Sequence, residues 1–333
     1  SHTTAYTSYV FDVSIFEIFS SLISESVLHI LPDTVRLNPK LLSYYLILHT
    51  IDLCYVPPVL LKNLPLVEYQ NFQYILYAGE PCDATTAQKW SAKVALWNYY
   101  GPTEASICVS KQILSSEVHL IGTPISNTQA YVLDNFKQPV PVGVIGELYI
   151  GGAGVARGYL NQETLTAERF IANPFTSKSA KENGHTRMYK TGDLVRWLAD
   201  GNLEYIGRND DQVKIRGYRI ELAEIQDALS HVEGIANSCV LVKERTTDNG
   251  IHKYLVGYYV LSDTEANISS ETLTNILSQR LPEYMIPSAF IAMDSFPMTV
   301  NGKLDKRALP DLEFSASTSY VAPNTKLETA LCT

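Results

Sequence analysis

The sequence predicts an α/β layered region that passes into a β-rich, barrel-like region, followed by a small α+β domain. Three observations predict it. Residues 15–100 mix apolar helical periodicity with short strand-like runs such as "FQYILYAG". Residues 134–160, "DNFKQPVPVGVIGELYIGGAGVARGYL", are rich in Gly and Val with short alternating runs. After about residue 210 the texture changes to amphipathic helical patterns alternating with β-prone runs. A length of 333 residues suits about two domains at ~100–200 residues each. Hydrophobic residues at 46% and charged residues at 18% leave ample material for a core.

In chain order, "FDVSIFEIF" (11–19) sets Asp12 inside an apolar run. A buried Asp needs a partner, so Asp12 is either a helix N-cap or a counter-ion for a substrate amine. "LLSYYLILHTIDLCYVPPVLL" (41–61) is the most apolar stretch, but it carries Ser43, His49, Thr50 and Asp52 before Pro57-Pro58. It reads as a buried helix and strand, since a span needs ~20 nearly uncharged residues. "NYYGPTE" (98–104) leaves an apolar strand at a Gly-Pro turn, where α/β proteins bind ligands. Tyr100 can stack on a base, Thr103 can donate to a phosphate and Glu104 can hold Mg²⁺. Taken alone, that stretch is better read as an ordinary Gly-Pro turn.

"AYVLD" and "GELYIGG" read as strands. The glycines of 146–160 are structural, because no Gly-Lys-Ser/Thr ending and no following helix make a phosphate loop. "YKTGDLVRW" (189–197) offers Asp193, a carboxylate able to bind both hydroxyls of a ribose. "GRNDDQVKIRGYRIEL" (207–222) is either a solvated linker or a hinge pivoting at Asp210. Beyond it, Leu222, Ile225, Leu229 and Val232 share one helical face. "NSCVLVKER" and "KYLVGYYVL" are strands, and "SETLTNILSQRL" is a helix with Ser270 as N-cap. "TVNGKLDKRAL" (299–309) presents Lys303 on an Asn-Gly turn, and "EFSASTSYVAPNTK" (313–326) reads as a linker.

A net charge of −9 and a pI near 5.3 argue against non-specific nucleic-acid binding. Five widely spaced cysteines without a CxxC read as reduced thiols, with neither zinc nor a disulfide framework. With no signal-peptide pattern and no membrane span, the expected location is cytoplasmic, with no nucleic-acid and no membrane partner.

Taken together, "FDVS", "NYYGPTE", "GELYIGGAGVARGYL", "YKTGDL", "GRNDDQVKIRGYRIEL", "LPEYMIP" and "NGKLDK" run in order from residue 11 to 306. In this the chain closely resembles the adenylation domains of nonribosomal peptide synthetases, within the superfamily of acyl- and aryl-CoA synthetases and firefly luciferase. The resemblance implies the C-terminal portion of a large adenylate-forming domain (1–209), made of α/β layers and a β-barrel-like subdomain. A small mobile α+β subdomain (210–312) hinged at Asp210 follows, then a linker and the start of a carrier domain (313–333). Ala223 and Gln226 stand where the family has Gly and Glu, and Lys306 stands where it has Arg. The family's Ser/Thr/Gly-rich loop for the β,γ-phosphates lies upstream of "FDVS" and is missing here. The resemblance therefore implies an N-terminally truncated chain that is inactive alone.

The implied reaction joins an amino acid to ATP as aminoacyl-AMP, then passes the acyl group to the phosphopantetheine thiol of a carrier domain. The implied partners are that carrier domain and a condensation domain of the same synthetase. By the same resemblance Lys303 neutralises the carboxylate and α-phosphate, Asp12 binds the amine, and Asn98 and Tyr100 contact adenine. Thr103 takes the α-phosphate, Glu104 Mg²⁺ and Asp193 the ribose, with Tyr205 and Arg208 nearby. The side-chain pocket would comprise Asp12, Val13, Phe16, Tyr55, Leu76, Ala78, Tyr99, Ile107 and Cys108, closed by Lys303. Apart from Asp12 and Lys303 it carries no charge. That favours a neutral, mainly apolar substrate, aliphatic over large aromatic. The alternatives are an acyl- or aryl-CoA synthetase, disfavoured because Asp12 would face no amine, and a truncated remnant without turnover.

Overall fold

The computed structural model describes residues 1–113, 120–210, 212–247, 250–262, 268–298 and 304–312. The turn lysine Lys303 and the expected linker and carrier start at 313–333 lie outside the described residues. The chain divides into two compact units, Ser1–Leu222 and Ala223–Thr333. The texture change of the sequence falls near residue 210, about twelve residues earlier. The intervening segment forms a hairpin whose ion pair and ring contacts run back to the first unit.

The first unit opens with strands alternating with helices: β1 (His2–Ala5), α1 (Val13–Ile23), β2 (Val27–Ile30), α2 (Asp33–Arg36), α3 (Pro39–Leu48), β3 (Leu53–Tyr55), α4 (Pro58–Leu61), β4 (Tyr74–Ala78), α5 (Ala84–Ser91) and β5 (Ala95–Tyr100). Local chemistry sets the boundaries. Pro39 starts α3, and the Asn38 side chain accepts the N–H groups of Lys40 and Leu41. Asp83 caps α5 through the Thr86 N–H. The apolar stretch 41–61 is α3, β3 and α4, with Leu42, Leu46, Ile51, Cys54 and Leu61 in one core with Ile75, Trp90 and Leu96.

The chain then turns antiparallel: β6 (Ser110–Ile113), β7 (Leu120–Pro124), β8 (Thr128–Leu133), β9 (Gly146–Gly152), α6 (Glu163–Arg169), β10 (Phe170–Ala172), α7 (Lys178–Glu182), β11 (Arg187–Trp197) and β12 (Leu203–Arg208). One twelve-stranded sheet results, in the order β2-β1-β3-β4-β5-β6-β7-β12-β11-β9-β8 with β10 beside β11. Its β2-to-β5 half is parallel because a helix intervenes between successive strands, and the remainder is antiparallel. Register shifts in β11 fit the glycines of this region as features of a curled sheet. A two-stranded ribbon, β13 (Gln212–Ile215) and β14 (Tyr218–Glu221), follows.

The second unit is α+β. Helix α8 (Leu222–Ser230) begins at the unit boundary and buries Leu222, Ile225 and Leu229, the predicted face, with Val232 just beyond it. Strands β15 (Ile235–Thr247) and β16 (Gly250–Leu261) form a long hairpin, and β17 (Ala289–Met293) joins β16 in parallel. Helix α9 (Ser270–Ser278) is capped by Ser269, whose hydroxyl accepts the Thr272 N–H. The cap lies one residue before the expected Ser270, because Ser269 keeps the extended backbone a cap requires.

Leu96 is fully buried on β5, the last strand of the parallel half, whereas Leu160 is 88% exposed. Leu96→Ala should cost about 2–5 kcal/mol through the cavity it leaves. Leu160→Ala should stay within about 0.5 kcal/mol. Urea unfolding of both variants checks this, and similar shifts for the two would contradict the packing.

Candidate active site

The carboxyl ends of the parallel strands gather most of the residues singled out in the sequence. This is the edge at which open α/β sheets bind ligands. Strand β5 divides its faces by the pleat: Leu96, Asn98 and Tyr100 are buried on one side, while Trp97 and Tyr99 point to the other. The Asn98 side chain donates to the Leu120 carbonyl at 3.1 Å. On the opposite face Tyr99 meets Phe16 of α1, with ring centroids 5.7 Å apart. Tyr55 ends β3, pairs with Leu76 of β4 and donates its hydroxyl to the Ala78 carbonyl at 3.2 Å. Asp12, Val13 and Phe16 open α1. Asp12 holds the N-cap position, yet its side chain makes no capping bond.

Ile107 and Cys108 sit on a strained turn. Ile107 has φ +77°, and the Cys108 N–H reaches the Ser106 carbonyl at 3.0 Å. A β-branched residue at this angle in an i→i+2 turn is uncommon and costly. Gly101 makes the turn possible, because a Cβ there would meet the Ile107 oxygen and the Cys108 Cα at 2.5 Å.

The other face of β5 carries the charges. The Tyr100 hydroxyl donates to Asp193 Oδ2. Arg208 donates Nη1 to Asp193 Oδ1 at 2.6 Å, Nε and Nη2 to Asp210 at 2.6 and 2.7 Å, and Nη2 also to the Thr191 carbonyl at 3.1 Å. Burial and the two carboxylates oppose each other at Arg208, and the carboxylates win, holding it firmly charged. Burial and Asp193 push the Tyr205 hydroxyl up to about 12. Lys214 of β13 has its Nζ 5.9 Å from the Tyr100 ring centroid, and burial lowers its pKa against the pull of Asp193.

Thr103 and Glu104 lie on the short helical turn after Pro102, with Thr103 exposed. Glu104 Oε1 accepts from the Tyr159 and Tyr189 hydroxyls at 2.7 and 2.9 Å, and Oε2 accepts from Arg219 Nη1 at 2.7 Å. Burial raises the carboxyl, but Arg219 and the hydroxyls outweigh it and hold Glu104 ionised below its ordinary range. A hard, ionised oxygen donor suits Mg²⁺, which commonly uses one or two carboxylates together with substrate phosphates. Among the described residues no group of three or more His, Cys, Asp and Glu side chains is arranged to hold a metal by itself.

Tyr159, Tyr189 and Arg219, the partners of Glu104, were not singled out in the sequence, although each falls inside a block quoted above. Glu17 was missed too. It is 3% exposed, and its two oxygens accept the Tyr6 and Thr7 N–H groups, both at 2.9 Å. Those bonds tie the loop after β1 to the helix that presents Asp12.

The model for the AMP-binding enzyme matches residues 2–160, and the model for the AMP-binding enzyme C-terminal domain matches residues 224–303. The chain belongs to the AMP-binding enzyme family. It is 40% identical over 99% of its length to part of bacitracin synthase 3 of Bacillus licheniformis, covering 5% of that protein. The chain spans 4% to 12% of the first curated relatives it matches. A solved holo protein of nonribosomal peptide synthesis, containing adenylation and PCP domains and bound to a vinylsulfonamide inhibitor, superposes with a TM-score of 0.78 at 26% identity. That match covers 92% of this chain and 52% of the solved one. A holo four-domain nonribosomal peptide synthetase bound to AMP and glycine matches at 39% identity and a TM-score of 0.59, covering 99% of this chain and 24% of that one. This AMP-binding enzyme thus has the adenylate-forming fold, with a large N-terminal region and a small C-terminal one. No helix among its described residues is long and apolar enough to cross a membrane.

Burial pushes the Glu17 carboxyl up despite its two N–H donors. A carboxylate with a raised folded pKa binds more protons in the native than in the unfolded chain between the two values. Its contribution to stability therefore falls as pH rises from about 4.3, the ordinary Glu value, through the folded value. Glu17→Gln removes this titration. The stability of the unaltered protein minus that of Glu17→Gln should decrease with rising pH across this window. Denaturation at a series of pH values measures it, and a difference that grows with pH would show a depressed carboxyl instead.

Proposed function

We propose that this AMP-binding enzyme activates an amino acid as its aminoacyl adenylate, with release of pyrophosphate, and then acylates the pantetheine thiol of a carrier domain in nonribosomal peptide synthesis. The observation that carries this reading is Asp12. It is a carboxylate at the start of α1 that does not cap its helix, one turn before Phe16, whose ring meets Tyr99. A carboxylate one helical turn from apolar rings suits a substrate with an amine near an uncharged side chain. The similarity to segments of peptide synthetases supports the same reading.

In this scheme the amine of the substrate pairs with Asp12. Its side chain lies among Val13, Phe16, Tyr55, Leu76, Ala78, Tyr99, Ile107 and Cys108, which supports a neutral, mainly apolar amino acid, aliphatic rather than large aromatic. Asn98 and Tyr100 flank the adenine, and Asp193 takes the ribose hydroxyls with Tyr205 and Arg208 alongside. Tyr100 and Arg208 use two of the roughly four acceptor positions of the Asp193 carboxylate, which leaves capacity for two hydroxyls. Thr103 donates to the α-phosphate. Glu104 holds Mg²⁺, which when bound neutralises phosphate charge. Lys303 neutralises the reacting carboxylate and α-phosphate. Asp210 is the pivot on which residues 210–312 change position between the two half-reactions. The partners are a carrier domain bearing phosphopantetheine and a condensation domain of the same synthetase, in the cytoplasm.

Asp12→Ala in the full-length protein tests the amine assignment. Adenylation of amino acids should weaken while that of des-amino acids is spared, read as kcat/KM for pyrophosphate release. An equal loss for both classes would make Asp12 a structural residue and return the acyl-CoA synthetase reading.

Lys303→Ala should lower ATP–pyrophosphate exchange by ~10²-fold or more, the scale of losing one oxyanion donor. Thioester formation from supplied aminoacyl adenylate should survive. Equal loss of both steps would refute a role confined to adenylation.

A further inference from the structure

Asp193, the carboxylate assigned above to the ribose, does not stand in regular sheet. Strand β11 pairs Lys190 with Tyr149 of β9, and its next pair is Leu194 with Glu147. Between these two pairs β11 advances four residues and β9 only two, so Thr191, Gly192 and Asp193 bulge out opposite Leu148. A bulge re-aims a side chain, but it also takes backbone groups out of the ladder, and buried ones need new partners. The Thr191 hydroxyl accepts the Asp193 N–H at 2.9 Å and donates to the Leu148 carbonyl at 2.8 Å. The Thr191 carbonyl accepts Arg208 Nη2 at 3.1 Å, and the Gly192 carbonyl accepts the Asn209 N–H at 3.0 Å. Gly192 has φ +79°, and a Cβ there would meet Arg208 Nη2 and Asp210 Oδ2 at 2.7 Å, so only glycine fits. The Gly192 N–H donates to a side chain of the facing strand, Glu147 Oε1, at 3.1 Å. The other Glu147 oxygen accepts the Tyr149 hydroxyl at 3.4 Å and lies 3.8 Å from Lys190 Nζ, which turns Oε1 toward the bulge. The Glu147 side chain is 13% exposed, so little water competes for that N–H.

We propose that Glu147 is a positioning residue for the ribose site: by accepting the Gly192 N–H from β9, it fixes the bulge that aims the Asp193 carboxylate at the ribose hydroxyls. Glu147 touches no substrate and acts through the backbone of the residue before Asp193. The role calls for an oxygen acceptor at the right reach, and the charge of Glu147 is secondary to it. The proposal rests on the assignment of Asp193 to the ribose in the reading above.

The test is ATP–pyrophosphate exchange by the full-length protein with ATP, 2′-deoxy-ATP and 3′-deoxy-ATP. The ratio of kcat/KM for ATP to that for each deoxy analogue gives the preference for the ribose hydroxyls. An unfolded fraction lowers all three rates alike and cancels from the ratio. Glu147→Gln keeps an oxygen at the same reach and should keep the preference. Glu147→Asp keeps the charge but withdraws its oxygens by one methylene. It should lower the preference about tenfold, the scale of one hydrogen bond to a charged group, through the KM for ATP while the KM for the amino acid holds. On an Asp193→Ala background the same change should lower the preference no further, because Glu147 acts through Asp193. Equal losses for the three nucleotides, or a Glu147→Gln variant as impaired as Glu147→Asp, would overturn the proposal. If Asp193→Ala leaves the preference unchanged, the ribose assignment itself is wrong and the positioning role falls with it. If Asp193→Ala abolishes the preference while Glu147→Asp retains it, the assignment stands and the positioning role is refuted.

Discussion

The buried ion pair between Asp193 and Arg208 is the constraint on which the large unit's site depends. Their side chains are 6% and 10% exposed, so neither charge has water to fall back on. Losing one member of such a pair typically costs about 3–5 kcal/mol, because the other is left buried and unpaired. Each partner is therefore obliged to hold its place. Arg208 spends its remaining donors on Asp210 and on the Thr191 carbonyl, which binds the end of β12 to β11 and to the segment that follows. Asp193 spends its second oxygen on Tyr100, which ties the antiparallel strands to the last parallel one. One guanidinium thus fixes where the curled half of the sheet meets the layered half.

From that junction the pleat of β5 does the sorting. Its inward residues, Asn98 and Tyr100, face the antiparallel side, and Tyr99 faces α1. A single strand therefore borders two chemically different compartments, one polar and charged, one apolar. A one-residue slip of β5 would exchange them, and the Tyr100–Asp193 bond is what resists the slip. The strained turn at Ile107 serves the same boundary. It brings Cys108 back against Gly101 and finishes the apolar side at a conformational cost that the packed surroundings sustain.

Much of this was legible in the sequence because it is local. Strand ends, turn chemistry and helix faces follow from periods of two and 3.6, and Asp193, Arg208 and Glu104 stand in short blocks of fixed order. What the sequence concealed is the partner of each charge. Glu104 lies 55, 85 and 115 residues from Tyr159, Tyr189 and Arg219, separations that no periodicity reports. Glu17 escaped for a different reason. An acid in an amphipathic helix ordinarily marks the wet face, and only the paired N–H groups of Tyr6 and Thr7 turn it inward. The change of texture near residue 210 is real, but the charges just past it find their partners upstream, so the compact unit closes only at Leu222. Lys303 lies beyond the described residues, and its assignment rests on its turn and on the block that holds it.

Two glutamates in this unit show why residue type alone does not give a charge state. Glu104 and Glu17 are both shielded from water and both accept hydrogen bonds, yet one carboxyl is lowered and the other raised. The difference is the guanidinium of Arg219, since amide and hydroxyl donors alone do not offset desolvation at Glu17. The same local accounting bears on how a chain of net charge −9 can receive a phosphate anion. Around β5, the carboxylates of Asp193, Asp210 and Glu104 stand against Arg208, Arg169, Arg219 and Lys214. Each of these acids has a cation beside it, so the group as a whole presents no net negative charge to a nucleotide. The site thus keeps its own balance of charge within a chain that is acidic overall.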